Sequence, residues 1–290
     1  MGVALSWQDF KSSNLEKQFN PRAALGSKIS TILQDWEVKS VLARKDLEII
    51  HNIPYGDHVL QKFDYCKSSS EQPVIILLHG GYWRSLDKAI MNWHVKQLFE
   101  NGFTVYNVNY PLCPEVNLTQ LVDDLHSSLE KILKFNFVQK DNPNIILMGH
   151  SAGAHLAMHL AQNHILENNL IGVVALSGIF DCQVVREISV NEDICLSVKE
   201  AISLSILNNF PNSNLPYYLA VGAEEPSGWI DQSVELYGAL NRDRKDVKLR
   251  IVNEANHFSL VDKIVDAETD AGLQLYNWIN KLSNNHDQLN

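Results

Sequence analysis

Short apolar runs recur along this 290-residue chain, and segments with helical periodicity lie between them. Residues 74–78, 144–148 and 170–176 are predicted strands of this kind. A strand that is apolar along most of its length is typical of a sheet buried on both faces. Strands that alternate with helices therefore predict an α/β fold, with a mostly parallel, doubly wound sheet and helices on both faces.

Three regions depart from this alternation. Residues 1–40 are predicted to form an N-terminal helical segment, and residues 46–51 and 59–65 to form an antiparallel hairpin. Residues 180–211 are irregular and are predicted to be a small cap insertion at the carboxyl edge of the sheet, where ligands bind in open α/β folds. Further strands are predicted at residues 103–108, 216–221 and 247–252, and helices at residues 118–133, 152–165, 230–240 and 268–282.

Composition excludes several classes of function. Lys and Arg total 24 against 34 Asp and Glu, and no dense basic run is present, so no nucleic-acid partner is expected. No apolar run approaches the roughly 20 residues that span a bilayer, so no membrane partner is expected. Residues 1–11 lack the apolar stretch of a secretory signal, and the 4 cysteines form no CxxC pair. We therefore expect a cytoplasmic protein with reduced thiols, and the sequence leaves a homodimer open.

The segment Gly149-His150-Ser151-Ala152-Gly153 follows a predicted buried strand and precedes a predicted helix. This is the context in which a G-x-S-x-G motif presents a nucleophilic serine. Ser151 must stand at a sharp, strained turn, and side chains at positions 149 and 153 would collide with the neighbouring strand and helix. We therefore predict that Ser151 is the nucleophile and that the Ala152 N–H donates to developing negative charge.

A second motif, His79-Gly80-Gly81-Tyr82-Trp83, directly follows the first buried strand. Its two glycines let backbone N–H groups approach a reacting carbonyl closely. The N–H groups of Gly81 and Tyr82 are therefore predicted to complete an oxyanion hole with that of Ala152. We interpret His79 as a brace for this loop rather than as a proton carrier.

Ser151 needs a general base, because a serine hydroxyl alone is a weak nucleophile at neutral pH. Hydrolases with this motif place the histidine last in the chain, and only His257 and His286 lie well downstream. His286 belongs to a polar tail, so we predict that His257 is the base. The site then draws on residues from Ser151 to His257, and a boundary near the midpoint would split it. Residues 1–290 are therefore predicted to form a single domain.

The acid that orients the base is expected after the strand at residues 216–221. Two adjacent glutamates, Glu224 and Glu225, follow this strand, and spacing alone leaves both open. Asp181, which follows an earlier strand, is a third candidate.

No cofactor or metal is predicted. The chain has no Walker A lysine pattern and no GxGxxG, so nucleotide chemistry is not expected. His155 and His159 stand four residues apart on a predicted helix, but no HExxH motif or third ligand accompanies them.

Taken together, these motifs resemble the kynurenine formamidase (arylformamidase) family of α/β-hydrolases and its bacterial esterase relatives. The resemblance extends from residues 15–22 to the final helix and is carried by residues 79–83, 109–114, 149–155, 177–181 and 256–258. In this family the acid stands seven residues before a Gln-Ser pair, so Gln232-Ser233 points back to Glu225. Many animal members have Asp at that position, where this chain has Glu.

The resemblance implies a cofactor-independent serine hydrolase that cleaves an aryl formamide, with N-formyl-L-kynurenine as the expected substrate. A carboxylesterase acting on small acyl esters, or on another biosynthetic amide or ester, is the first alternative. A non-catalytic ligand-binding protein on the same fold is the alternative from another class. We expect an aromatic small molecule as partner, bound by Tyr82, Trp83, Phe180 and Trp229.

Overall fold

The computed structural model describes residues 6–10, 12–135, 143–211 and 214–287, and these include one eight-stranded sheet. The strands are β1 (Ile49–Pro54), β2 (Lys62–Cys66), β3 (Val74–Leu78), β4 (Thr104–Val108), β5 (Ile145–His150), β6 (Leu170–Leu176), β7 (Tyr217–Gly222) and β8 (Val247–Val252). Their order is β1-β2-β4-β3-β5-β6-β7-β8. The pairs β1·β2 and β2·β4 are antiparallel and all others are parallel. The predicted hairpin and the predicted mostly parallel sheet are both confirmed.

Eleven α-helices are present in the described part of the chain. They are α1 (Ser12–Phe19), α2 (Pro21–Leu25), α3 (Lys28–Asp46), α4 (Asn92–Glu100), α5 (Leu118–Lys134), α6 (Ala152–Leu160), α7 (Asn191–Ile194), α8 (Val198–Leu204), α9 (Ser227–Arg242), α10 (Ser259–Val265) and α11 (Asp270–Asp287). Some starts follow from local capping: Asn117 and Gln120 form a capping box at α5. Within the same residues, no helix is both long and apolar enough to cross a bilayer.

Alternate residues of the central strands face two separate apolar cores. On β3, Ile76 and Leu78 pack into the core covered by α5, α6 and α9. Ile75 and Leu77 pack into the core covered by α3, α4, α10 and α11. Successive side chains of a strand point to opposite faces, so a strand that is apolar at every position requires helices on both sides. The two cores are the packing basis of the doubly wound arrangement.

Some element boundaries differ from those expected. The first strand begins at Ile49 rather than at residue 46, because α3 continues to Asp46. Helix α6 ends at Leu160, after which the Asn163 side chain accepts from the backbone N–H of Ile165 and starts a separate 3-10 turn. Helices α4 and α10 were not predicted; each is short, and α10 spans only seven residues.

The two predicted accessory segments have defined local structure. Residues 1–5 and 11 of the N-terminal segment lie outside the described residues, and α1, α2 and most of α3 fall within its remainder. Residues 180–211 contain the 3-10 turn Val184–Glu187 and helices α7 and α8. That residues 180–211 act as a cap, and that residues 1–290 form one domain, stay predictions.

Candidate active site

Ser151 occupies a strained turn between β5 and α6. Its backbone angles are φ 55° and ψ −119°, a left-handed region that costs a non-glycine residue about 1–3 kcal/mol. A Cβ at Gly149 would lie 2.1 Å from the Gly153 carbonyl oxygen, and a Cβ at Gly153 would lie 2.1 Å from the Leu78 carbonyl oxygen. Only glycine fits either position, as the motif predicts, and the turn places Ser151 at the carboxyl edge of the sheet.

The loop that follows β3 lies directly against this turn. A Cβ at Gly80 would be 3.1 Å from the Cβ of Ser151, so the two segments are in contact. Gly81 has φ 115°, and a Cβ there would lie 1.9 Å from the Ser85 carbonyl oxygen. The Gly81 carbonyl accepts from the backbone N–H groups of Arg84 and Ser85 and from the Ser85 hydroxyl. The loop backbone is therefore held beside Ser151 at positions 80 and 81, while its role as an oxyanion hole with Tyr82 and Ala152 stays a prediction.

His79 braces this loop from below. Its Nδ1 lies 2.7 Å from the Gly80 carbonyl oxygen and its Nε2 lies 2.8 Å from Asn109 Oδ1. The Tyr110 ring stacks on the imidazole, and the Tyr110 hydroxyl donates to the His79 carbonyl. Burial lowers the pKa of His79. With both ring nitrogens engaged, the geometry agrees with the bracing role inferred from the sequence.

His257 and Glu225 form a buried pair at the same edge of the sheet. His257 Nδ1 donates to Glu225 Oε2 over 2.7 Å. Glu225 Oε1 accepts from the backbone N–H of Gly222 at 2.7 Å and from the Ser177 hydroxyl. A carboxylate can only accept, so the proton of a neutral His257 lies on Nδ1 and Nε2 keeps its lone pair. This is the tautomer that a general base requires.

Neither alternative acid meets His257. Glu224 is exposed, although its backbone N–H donates to the Ala255 carbonyl at 2.9 Å. Asp181 is buried, and its carboxylate accepts from the Trp7 indole at 2.6 Å and from the Ser205 hydroxyl at 3.1 Å. Of the three acids that the residue pattern left open, the structure brings only Glu225 against the imidazole.

His150 supports the loop that carries His257. Its Nε2 donates to the His257 carbonyl over 2.8 Å, and the centroids of the two rings are 4.7 Å apart. Burial and the neighbouring His257 lower the pKa of His150 well below its usual value. A neutral His150 next to the base adds no positive charge that would oppose protonation of His257.

The predicted aromatic residues occupy two different environments. Tyr82 lines the cleft beside Ser151, and its hydroxyl donates to the Phe19 carbonyl over 2.6 Å. The other three are fully buried and are not among the residues that line this cleft: Trp83, Phe180 and Trp229. Trp229 packs edge-on against the His257 ring at 4.8 Å, which positions the base. Direct contact of these three residues with substrate stays a prediction.

A small cleft opens above Ser151 and His257. Its lining includes residues that the sequence reasoning did not select: Asn20, Pro21, Arg22, Arg84, Ser85, Leu86, His150, Val190 and Phe258. The sequence feature that could have identified Arg84 as a cleft residue was its position just after the residue 79–83 motif. The signal for residues 20–22 was only that they belong to a stretch resembling the family.

The histidine pair on α6 is a hydrogen-bonded cluster beneath the site. The Nε2 atoms of His155 and His159 lie 2.9 and 3.1 Å from the Leu204 carbonyl oxygen, and Cys182 Sγ lies 3.5 Å from His155 Nε2. Burial lowers the pKa of His159 to about 4. Within the described ranges, no group of three or more His, Cys, Asp or Glu residues could hold a metal ion.

The chain is similar to known proteins both in sequence and in structure. Residues 64–210 match the BD-FAE family. The chain is 26% identical over 281 residues to a kynurenine formamidase from Salmo salar, covering 90% of this chain and 94% of that protein. A kynurenine formamidase from Danio rerio is 26% identical over 278 residues, with coverage of 90% and 94%. The crystal structure of esterase B from Lactobacillus rhamnosis superposes with a TM-score of 0.67 at 17% identity, covering 90% of this chain and 96% of that one. This structural likeness confirms the α/β-hydrolase fold.

Proposed function

Because the chain belongs to the BD-FAE family and is a hydrolase of the formamidase and esterase type, we propose that it is a serine hydrolase with Ser151 as its nucleophile. His257 is the base and Glu225 the acid of the triad. One observation carries this proposal: His257 Nδ1 donates to Glu225 Oε2 over 2.7 Å, in a cleft that Ser151 and His257 both line.

The reaction uses each of these groups in turn. His257 Nε2 accepts the Ser151 hydroxyl proton while Ser151 Oγ attacks the substrate carbonyl, and Glu225 stabilises the imidazolium that forms. The N–H groups of Gly81, Tyr82 and Ala152 stabilise the developing oxyanion. His257 then gives its proton to the leaving amine or alcohol. Water, deprotonated by the same imidazole, hydrolyses the acyl-enzyme and restores Ser151.

The substrate that we propose is N-formyl-L-kynurenine, which would yield L-kynurenine and formate. The two kynurenine formamidases support this choice, because each alignment covers 90% of this chain and 94% of the other protein. A carboxylesterase acting on small acyl esters would use the same triad and the same oxyanion donors. The two reactions differ in leaving group, so turnover of matched substrates separates them.

The test compares N-formyl-L-kynurenine with p-nitrophenyl acetate as substrates of the purified full-length protein. We expect hydrolysis of both, with the higher kcat/KM for the formamide. Ester turnover without formamide turnover would overturn the proposed substrate and leave an esterase.

The same assay tests the nucleophile. Ser151→Ala is expected to lower kcat by at least about 10⁴-fold on either substrate, because removal of a triad serine abolishes covalent catalysis. Ser203→Ala, on the exposed side of α8, is the matched control and should retain parental rates. A Ser151→Ala protein as active as the parent would contradict the mechanism. No turnover of any substrate by the parent would favour a non-catalytic binding protein.

A further inference from the structure

The charge of the cleft lining is opposite to the charge of the chain. The protein has a formal net charge of −10. The lining nevertheless contains two arginines, Arg22 and Arg84, and no aspartate or glutamate among the described residues. A cleft with cations on its wall attracts anionic ligands, and low-dielectric walls strengthen that attraction.

Arg22 extends from the first turn of α2 into this lining. Its Nη2 donates to the Ser85 hydroxyl at 3.1 Å, and no carboxylate lies within 4.0 Å of it among the described residues. The backbone that carries it is fixed, because the Asn20 side chain caps α2 and Pro21 occupies the first position of that helix. The guanidinium is thus a positioned, solvent-accessible cation with donors to spare.

Arg84 lies on the neighbouring wall, one residue after the residue 79–83 motif. Its guanidinium pairs with Asp193 at the edge of α7. Arg22 binds the side chain of Ser85, the residue after Arg84, and both arginines line the cleft. Partial burial and the positive charge of Arg84 both lower the pKa of Arg22. Because Asp193 already pairs with Arg84, Arg22 is the arginine whose charge is left for an anion at this wall.

We propose that Arg22, assisted by Arg84, binds a carboxylate group of the substrate at the rim of the cleft. The substrate class is therefore an aryl formamide or ester with a free carboxylate remote from the carbonyl that Ser151 attacks. Arginine suits this role because its planar fork binds a carboxylate through two parallel hydrogen bonds. The inference rests on the proposed function, since it assigns the far end of the substrate of that same site.

A bracing role for Arg22 makes a different prediction. The Ser85 hydroxyl that accepts from Arg22 donates in turn to the Gly81 carbonyl at 2.9 Å, so Arg22 is linked to the loop beside Ser151. If support of this loop were its role, loss of the guanidinium would lower kcat for every substrate. If it binds a carboxylate, only substrates with that group lose affinity, and KM changes rather than kcat.

The kinetic test uses a charged substrate and its neutral counterpart. N-formyl-L-kynurenine carries the carboxylate together with an ammonium group, and N-(2-acetylphenyl)formamide has the same aryl formamide without either charged group. For Arg22→Gln we expect KM for the charged substrate to rise about tenfold, with kcat and the neutral substrate changed by less than about twofold. Arg22→Lys should recover part of this loss, because it retains the charge without the fork. Added salt should raise KM for the charged substrate more in the parent than in Arg22→Gln.

Arg44→Gln is the control for the loss of one positive charge. Arg44 is exposed on α3 and does not line the cleft, so its removal should leave both substrates unaffected. Equal effects of Arg22→Gln on charged and neutral substrates would assign Arg22 to loop support and overturn the proposal. Absence of any effect on the charged substrate would overturn it as well.

A binding measurement separates this inference from the proposed reaction. Calorimetric titration of the parent with 4-phenylbutyrate and with neutral 4-phenylbutyramide needs no turnover. We expect the carboxylate to bind about tenfold more tightly than the amide, and Arg22→Gln to remove the difference. That result in a protein without formamide turnover would retain the carboxylate subsite and overturn the formamidase substrate. Formamide turnover with equal binding of the two probes would retain the formamidase substrate and overturn the carboxylate subsite.

Discussion

The floor and the rim of the cleft are built in different ways. The floor, residues 80–82 and 149–153, is shaped by the backbone: Ser151 and Gly81 have positive φ, and added Cβ atoms would collide with neighbouring carbonyls. The rim, residues 20–22 and 84–86, contributes the long side chains of Arg22 and Arg84, which remain in contact with solvent. Changes in the floor should therefore damage catalysis or folding, and changes in the rim should alter the choice of substrate.

Among the changes that would distinguish the floor from the rim, we expect the largest effect at the carboxylate beneath the floor. Glu225→Gln is isosteric but replaces an acceptor with an amide that can donate to His257 and favour the wrong tautomer. We expect kcat to fall by about 10³ to 10⁴-fold with little change in KM. Steady-state kinetics on the formamide and on the ester would measure this loss.

Glu224→Gln is the matched control one residue away. Because Glu224 is exposed and does not contact His257, its substitution should leave kcat within about twofold of the parent. If Glu224→Gln were the variant that lost activity, the assignment of the acid would be reversed.

An intermediate effect is expected on folding stability when the floor backbone is crowded. Gly153→Ala would place a Cβ 2.1 Å from the Leu78 carbonyl oxygen, and strand β3 and helix α6 would have to separate. We expect the free energy of unfolding to fall by about 3 kcal/mol, measured by urea denaturation.

A second glycine tests whether the effect belongs to the floor. A Cβ at Gly238, within α9, would meet only the flexible end of Arg242. Gly238→Ala should therefore raise the free energy of unfolding by about 0.5–1 kcal/mol, since alanine is the better helix former. Destabilisation of the same size at both positions would remove the distinction between floor and surface helix.

The smallest effect concerns the imidazoles packed beneath the floor. Burial lowers the pKa of His159 to about 4, so the unfolded state binds more protons than the folded state below about pH 6.5. The free energy of unfolding therefore keeps its full value, as far as His159 is concerned, above pH 6.5, and it decreases as the pH falls toward 4. Replacement by Gln removes this titration. Between pH 7.5 and 5.5, the free energy of unfolding of His159→Gln should therefore decrease by about 1 kcal/mol less than that of the parent. An equal loss in both proteins by urea denaturation would contradict the cause assigned to the shift.

Features of the floor were predictable because they are local in sequence. Ser151 and the residue 79–83 loop each follow a buried strand, and parallel strands bring their carboxyl ends to one edge of the sheet. The acid was harder to predict, because Glu224 and Glu225 both follow β7. The tight turn in which the Glu225 N–H donates to the Gly222 carbonyl decides which side chain turns inward.

The rim residues could not be predicted from the residue pattern, and the reason is physical. Arg22 lies on α2, and the preceding helix α1 packs against α9, where the Gln18 side chain accepts from the Gly228 N–H at 2.9 Å. Such a contact between distant segments has no periodicity or spacing that marks it. Helices α4 and α10 were missed because a short helix shows too few turns for its apolar stripe to stand out.

The hydrogen bond from the Tyr82 hydroxyl to the Phe19 carbonyl has an evolutionary consequence. It attaches the end of α1, just before the helix that carries Arg22, to the loop beside Ser151. The acceptor is a main-chain carbonyl, which any residue at position 19 would provide. The exposed Arg22 side chain can therefore diverge while the attachment persists, whereas Leu15 and Phe19 are buried in the core. A lineage of such hydrolases could acquire new substrates by mutation in its first helices and inherit the catalytic chemistry unchanged.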